Sequence, residues 1–131
     1  MNKLILVVDD SSTMRKFVAF ALEMKGYRVL PAVDGMDALE KLSENVVDLA
    51  IIDLNMPIMD GFELLRNIRA SEDYADLPTI ILSSEQSNKS KSQGETLGAD
   101  AYLIKPFDAI KIQDEVAKYL TTSARHEVGT D

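Results

Sequence analysis

The chain contains four short runs of apolar residues, each about as long as a β-strand, and a weaker fifth run. The four strong runs are Leu4–Val8, Leu49–Ile52, Thr79–Leu82 and Ala101–Ile104, and the weaker one is Tyr27–Leu30. Apolar residues follow one another in these runs without alternation, which is typical of strands covered by helices on both faces. The pattern therefore predicts buried strands of a parallel sheet.

Helical patterns fill the gaps between the runs. After Ser11 and Ser12, which are good N-caps, apolar residues recur with helical spacing until Gly26. Asp60 and Asp108 stand at the starts of two later helices. Strand and helix alternate five times, and each parallel crossover needs a long, right-handed connection. The sequence thus predicts an α/β fold with helices on both faces of a parallel sheet.

The fourth helix is the weak point of this alternation. The segment 86–97 should be helical by its position, but it is rich in serine and lysine and contains Gly94. Serine favours caps over helix interiors, and a glycine costs about 1 kcal/mol against alanine. With Leu97 almost its only apolar anchor, we expect this helix to be short, frayed or mobile.

Composition narrows the possible functions. The 131 residues carry a net charge of −8, with no cysteine and a single histidine, His126. Disulfide frameworks, thiolate zinc sites and Ser/His/Asp triads are therefore excluded. The acidic balance argues against binding to nucleic acid or to anionic membranes. Because the N-terminus does not resemble a signal peptide, we expect one soluble, cytoplasmic domain.

Polar side chains follow the predicted strands at the edge where an open α/β sheet binds its ligand. Asp9 and Asp10 follow the first strand, Asp53 the third, Ser83 the fourth and Lys105 the fifth. Three carboxylates at one edge repel one another, and an all-oxygen site of this kind suits Mg²⁺. Loop acids are common at strand ends, but a triplet facing a lysine and a hydroxyl favours a binding site.

The lysine and the hydroxyl indicate what else this site would hold. Lys105 can neutralise an anionic group, and Ser83 can donate a hydrogen bond to one of its oxygens. Together with Mg²⁺ and the carboxylates, they describe a place where a phosphoryl group sits on an aspartate. We expect Asp53 to be the nucleophile, because the third strand is central and ends between the acid pair and Lys105.

Four stretches of the sequence resemble the receiver domains of two-component response regulators, most of all the single-domain chemotaxis type. They are Val7–Arg15, Asp53–Gly61, Ser83–Glu85 and Gly98–Phe107. The resemblance implies a flavodoxin-like sheet of order 2-1-3-4-5 with five helices. We expect a receiver domain over residues 1–121 and a polar, disordered tail over 122–131.

The resemblance also implies roles for single residues. It makes Asp53 the phosphorylation site, Asp10, Asp53 and the carbonyl of Asn55 ligands of Mg²⁺, Asp9 a ligand through water, Ser83 and Tyr102 switch residues, and Lys105 the phosphate-binding lysine. The bond between Lys105 and Pro106 is commonly cis in this family. Asn55 and Glu85, small polar and acidic residues, would tune a short-lived phosphorylation, whereas Gly61 is expected to serve only the turn into the third helix.

The function implied is that of a stoichiometric phosphoacceptor and not of an enzyme. A histidine kinase or a histidine phosphotransfer domain would supply the phosphoryl group. We expect a monomer or weak dimer that signals to a protein partner through the fourth helix, fifth strand and fifth helix. Phosphorylation would order the fourth helix, and Lys89 and Lys91 would favour an acidic or polar partner.

Three alternatives stay open at this point. A phosphatase of the haloacid dehalogenase type also uses an aspartate, Mg²⁺, a hydroxyl and a lysine, although its nucleophile follows the first strand in an Asp-x-Asp pattern. A pseudo-receiver would only bind partners, but such domains usually lose an acid or the lysine. Within the receiver family, motor control, a phosphorelay and kinase regulation all fit.

Overall fold

The computed structural model describes residues 2–84 and 88–129, with side chains as far as Leu120. Strands and helices alternate along the chain in the order β1 (Leu4–Val8), α1 (Ser12–Glu23), β2 (Arg28–Ala32), α2 (Gly35–Glu44), β3 (Leu49–Asp53), α3 (Gly61–Ala70), β4 (Thr79–Ser83), α4 (Asn88–Thr96), β5 (Ala101–Ile104) and α5 (Ala109–Gly129). Neighbouring strands are parallel and lie in the order β2-β1-β3-β4-β5. The predicted fold is therefore confirmed.

The sheet separates two apolar layers. Every residue of β1, β3 and β4 is buried, as their uninterrupted apolar sequence predicts. The side chains of α2 and α3 pack on one face, and those of α1 and α5 pack on the other. The three central strands are thus held firmly, and the residues that follow them are presented at one fixed edge.

Side-chain caps fix where the helices begin. The backbone N–H of Met14 donates to Ser11 Oγ at 3.3 Å, and that of Glu63 donates to Asp60 Oδ1 at 2.9 Å. Asp108 Oδ1 accepts from the N–H of Lys111 at 2.8 Å. The caps predicted at these positions are confirmed, and each satisfies a donor that the first helical turn leaves open.

The weak fourth helix is present as α4, nine residues long. Its fraying and mobility stay predictions. The boundary predicted at residue 121 falls within α5, and the tail 122–131 lies beyond the described side chains, so this division of the chain also stays a prediction. Among the helices described, none has the length and apolar character needed to cross a membrane.

Candidate functional site

Three carboxylates meet at the carboxyl edge of the sheet, as predicted. One oxygen of each of Asp9, Asp10 and Asp53 lies within 4.8 Å of the others. Asp9 follows β1 and is 2% exposed, Asp53 ends β3 and is 3% exposed, and Asp10 is open to solvent. Two of the three acids are therefore removed from water, which makes their mutual repulsion strong.

Lys105 supplies the positive charge of this site. Its Nζ lies 3.0 Å from Asp53 Oδ1 and 3.9 Å from Asp9 Oδ2. The backbone N–H of Lys105 donates to the carbonyl of Ser83 at 2.7 Å, which continues the pairing of β4 with β5 past the end of the strand. The bond to Pro106 is cis, as the resemblance implied. The lysine thus reaches both buried acids from the fifth strand.

Asp9 shows that these charges are not fully balanced by the protein. Its Oδ1 accepts from the N–H of Ser11 at 2.9 Å, whereas its buried Oδ2 has no hydrogen-bond partner among the described residues. Burial raises the pKa of Asp9, and the nearby Asp53 carboxylate adds to the rise. A divalent cation would remove both penalties, and an all-oxygen donor set with an exposed third acid fits Mg²⁺.

Ser83 lies at the end of its strand as predicted, and Asn55, which the resemblance to receivers implied, lies in the loop after β3. Ser83 is fully buried at the end of β4, in register with Ile104 of β5. Asn55 is exposed two residues after Asp53 and lines a cavity of about 440 Å³. The cavity is bounded by the loop after β3, by Phe62 of α3 and by Ser90 of α4. The contribution predicted for Glu85 lies outside the described residues.

Tyr102 stands apart from the acids. It packs half-buried against the apolar layer of α2 and α3, whereas Leu103 joins the layer of α1 and α5. This placement agrees with the alternation along β5, which puts Tyr102 and Lys105 on opposite faces. Tyr102 therefore does not share the face of the strand that carries Lys105, and its role as a switch stays a prediction.

Two residues that shape the site were not identified from the sequence. A Cβ at Gly61 would lie 2.8 Å from the carbonyl oxygen of Asp53 and from Leu54 Cα, so α3 can begin this close to Asp53 only with glycine. The expectation that Gly61 serves only the turn was therefore wrong. Arg15 of α1 donates through Nη1 to the carbonyl of Asp9. The spacing of residues in the sequence does not identify such a contact, because it depends on the Arg15 side chain reaching back to the loop before α1.

Comparison with known proteins decides the family. Residues 5–117 match the sequence profile of the response regulator receiver domain. The chain belongs to this family. Receiver domains are components of two-component signalling, and this one retains three acids, a buried hydroxyl and a lysine at the edge where its parallel strands end.

Receivers of several kinds are similar to this chain. The chemotaxis protein CheY-3 of Vibrio cholerae is 36% identical over 118 residues, which cover 89% of this chain and 91% of that protein. The response regulator GtcR of Aneurinibacillus migulanus is 40% identical over 111 residues, 85% of this chain but only 45% of GtcR. The receiver is thus similar both to a protein of its own size and to part of a longer one.

Solved structures confirm the fold. CheY4 of Vibrio cholerae aligns with a TM-score of 0.87 at 34% identity, over 91% of this chain and 99% of that one. The receiver domain of a signal transduction histidine kinase from Syntrophus aciditrophicus aligns with a TM-score of 0.85 at 30% identity, over 92% and 91% of the two chains. The same fold therefore serves separate regulators and receivers of kinases.

Proposed function

We propose that this receiver accepts a phosphoryl group on Asp53 and passes the signal to a protein partner. The observation that carries the proposal is the contact of Lys105 Nζ with Asp53 Oδ1 at 3.0 Å, beside two further acids within 4.8 Å. Such a cation stabilises negative charge that develops on a transferring phosphoryl group. Family membership supports this reading over a phosphatase of the haloacid dehalogenase type.

The reaction proposed is an in-line displacement at phosphorus. A carboxylate oxygen of Asp53 forms the new P–O bond, the P–N bond of a phosphohistidine breaks, and its electron pair stays on the imidazole. Asp9, Asp10, Asp53 and the carbonyl of Asn55 would hold Mg²⁺, which neutralises the phosphoryl oxygens when it is bound. Lys105 would then pair with the phosphoryl group, and the hydroxyl of Ser83 would donate to one of its oxygens.

The protein acts in this proposal as a stoichiometric acceptor and not as an enzyme. Hydrolysis of the acyl phosphate regenerates Asp53 when water attacks phosphorus and the bond to the carboxylate oxygen breaks. The exposed Asn55 beside the open cavity leaves room for that water, which favours a short-lived phosphorylation.

The donor and the output are proposed by class. A histidine kinase or a histidine phosphotransfer domain would supply the phosphoryl group in the cytoplasm. The similarity to CheY-3 supports a chemotaxis-type protein partner, and α4, β5 and α5 would form the contact surface. Lys89 and Lys91 are exposed on α4, so we propose acidic or polar groups on the partner. Transfer from this protein to a histidine phosphotransfer domain would instead indicate a phosphorelay intermediate.

Intact-mass spectrometry after incubation with phosphoramidate and Mg²⁺ tests the proposed phosphorylation. The parent protein should gain one phosphoryl group, which is lost again once the donor is removed. Asp53→Asn should gain none, whereas Asp60→Asn, an acid of the neighbouring loop, should react like the parent. Equal labelling of Asp53→Asn and the parent would refute the site assignment.

A further inference from the structure

The helix α4 contacts the rest of the molecule in an unusual way. The one residue of α4 that is buried is Gly94, whereas its neighbours Gln93 and Glu95 are exposed and Ser90 is half-buried. A glycine contributes no side chain to the apolar layer, so α4 gains little from hydrophobic burial. The surface beneath Gly94 is therefore one of the features that position the helix.

Space, and not backbone conformation, explains why a glycine stands at this position. The glycines with positive φ among the described residues are Gly26 and Gly98, whereas Gly94 has ordinary helical geometry. A Cβ at position 94 would lie 3.3 Å from Cδ2 of Tyr102 and 3.5 Å from Cε1 of Phe62. The first distance is tighter than nine in ten real Cβ contacts, so a side chain at position 94 would require the Tyr102 ring or the helix to move by a few tenths of an ångström.

The ring of Tyr102 is joined to the phosphoryl site by a short piece of strand. Tyr102 lies in register with Ile81 of β4, and Ile104 lies in register with Ser83. The next residue is Lys105, whose N–H donates to Ser83 and whose Nζ contacts Asp53. Only Leu103 and Ile104 therefore separate the residue beneath α4 from the cation of the site.

We propose that Gly94 is a positioning residue, which seats the edge of the Tyr102 ring against the backbone of α4. The position of the ring and the docking of α4 are then linked, and a side chain at position 94 displaces one or the other. Through this contact the state of Asp53 reaches the surface of α4. That last step rests on the proposed phosphorylation, whereas the contact itself does not.

A thermal double-mutant cycle tests the contact without phosphorylation. Alanine is a better helix former than glycine, so Gly94→Ala at an ordinary helical position raises the melting temperature. Here we expect Gly94→Ala to lower it in the parent and to raise it in a Tyr102→Val background, which lacks the ring but keeps a strand-forming residue. Ser92→Ala, on the exposed side of α4, should raise it in both backgrounds. An equal rise on Gly94→Ala in both backgrounds would overturn the proposal.

Fluorine NMR of protein labelled with 3-fluorotyrosine tests the position of the ring. The Tyr102 resonance, assigned by its loss in Tyr102→Phe, should shift in Gly94→Ala and stay in place in Ser92→Ala. The resonance of Tyr27, at the far edge of the sheet beside β2, should be the same in the parent, Gly94→Ala and Ser92→Ala. An unshifted Tyr102 resonance in Gly94→Ala would contradict the proposed contact between Gly94 and the Tyr102 ring, even if the melting temperature falls.

Addition of beryllofluoride and Mg²⁺ to the same samples tests the link to the site. The Tyr102 resonance of the parent should respond, and that of Gly94→Ala should respond less. An equal response in both proteins would overturn the link between the site and α4. A parent that does not respond would count against the proposed function, whereas the double-mutant cycle would still decide the contact between Gly94 and Tyr102.

Discussion

Lys105 Nζ lies 3.0 Å from Asp53 Oδ1 and 3.9 Å from Asp9 Oδ2, so one lysine faces two acids that are almost fully buried. The lysine side chain itself is 24% exposed and is therefore partly solvated. One positive charge cannot balance two buried carboxylates and the adjacent Asp10. The site is therefore organised for a further cation, and its electrostatic balance can be altered in either direction by single substitutions.

Removal of the lysine charge should lower the free energy of unfolding and increase the stabilisation that Mg²⁺ provides. Lys105→Met leaves the acids without their cation, and we expect the free energy of unfolding to fall by about 1 to 3 kcal/mol. This is less than for a fully buried pair because Lys105 is partly solvated. Chemical denaturation with EDTA and with Mg²⁺ measures both effects.

The exposed Lys111 of α5 provides a matched control, since Lys111→Met should change neither quantity. A Lys105→Met protein as stable as the parent in EDTA would contradict the electrostatic account of the site.

Removal of one buried negative charge should have the opposite effect. Asp9→Asn keeps the oxygen that accepts from Ser11 and removes the negative charge of a group whose Oδ2 has no hydrogen bond. We expect the free energy of unfolding in EDTA to rise by about 1 to 2 kcal/mol, because two buried carboxylates that share one lysine repel each other. The stabilisation by Mg²⁺ should shrink.

Asp76→Asn, at an exposed position away from the site, should leave both values unchanged. If Asp9→Asn is less stable than the parent in EDTA, the cluster is not under electrostatic strain.

Much of the fold was predictable because the strands are covered on both faces. The apolar runs at β1 and β5 coincide with the strands, and those at β3 and β4 stop one residue short, at Asp53 and Ser83. These polar residues end the apolar pattern but still belong to the ladder. The strand β2 was predicted too early, because this edge strand is partly exposed and its pattern is weak.

Contacts between distant segments could not be predicted in this way. Arg69 of α3 donates to the carbonyls of Ala75, Leu77 and Gly98, and so ties α3 to the loop before β4 and the loop before β5. Gly94 is a similar case, because a propensity scale counts it only as a loss for α4. The contribution of Arg69 and of Gly94 to the structure depends on which distant segments the fold places next to them.

The loop between β3 and α3 contains a strained residue. Ile58 has a φ of 69°, and the N–H of Met59 donates to the carbonyl of Pro57 at 2.7 Å across this tight turn. The side chain of Ile58 is 98% exposed and contributes no burial. A β-branched residue with positive φ costs about 1 to 2 kcal/mol. A glycine there would remove this strain, but its greater flexibility in the unfolded chain would cancel part of the gain. We therefore expect Ile58→Gly to raise the free energy of unfolding by about 0.5 to 1 kcal/mol.

Val46 is also β-branched and highly exposed but does not have a positive φ, so Val46→Gly should lower the stability. Thermal denaturation of both variants checks the difference. A loss of stability in Ile58→Gly would mean that the turn is not strained.

The lifetime of the proposed acyl phosphate should depend on the side chain at position 55. Asn55 is exposed two residues after Asp53 and lines a cavity that water can enter. Asn55→Phe should exclude that water and lengthen the lifetime several-fold, whereas Asn67→Phe, on the exposed side of α3, should not. Decay of the labelled protein, followed by intact mass after removal of the donor, gives the rate. Unchanged decay in Asn55→Phe and in a Glu85 variant would defeat this explanation.

Borohydride trapping tests the central claim most directly, because it identifies both the residue and the bond. Hydride reduces an acyl phosphate on an aspartate to the alcohol of homoserine and releases phosphate, whereas phosphoserine and phosphothreonine are not converted in this way. After incubation with phosphoramidate and Mg²⁺, followed by borohydride and peptide mass spectrometry, we expect homoserine at position 53 and unmodified Asp9, Asp10 and Asp60. Homoserine at one of those other acids, or a phosphorylated protein with intact Asp53, would contradict the claim.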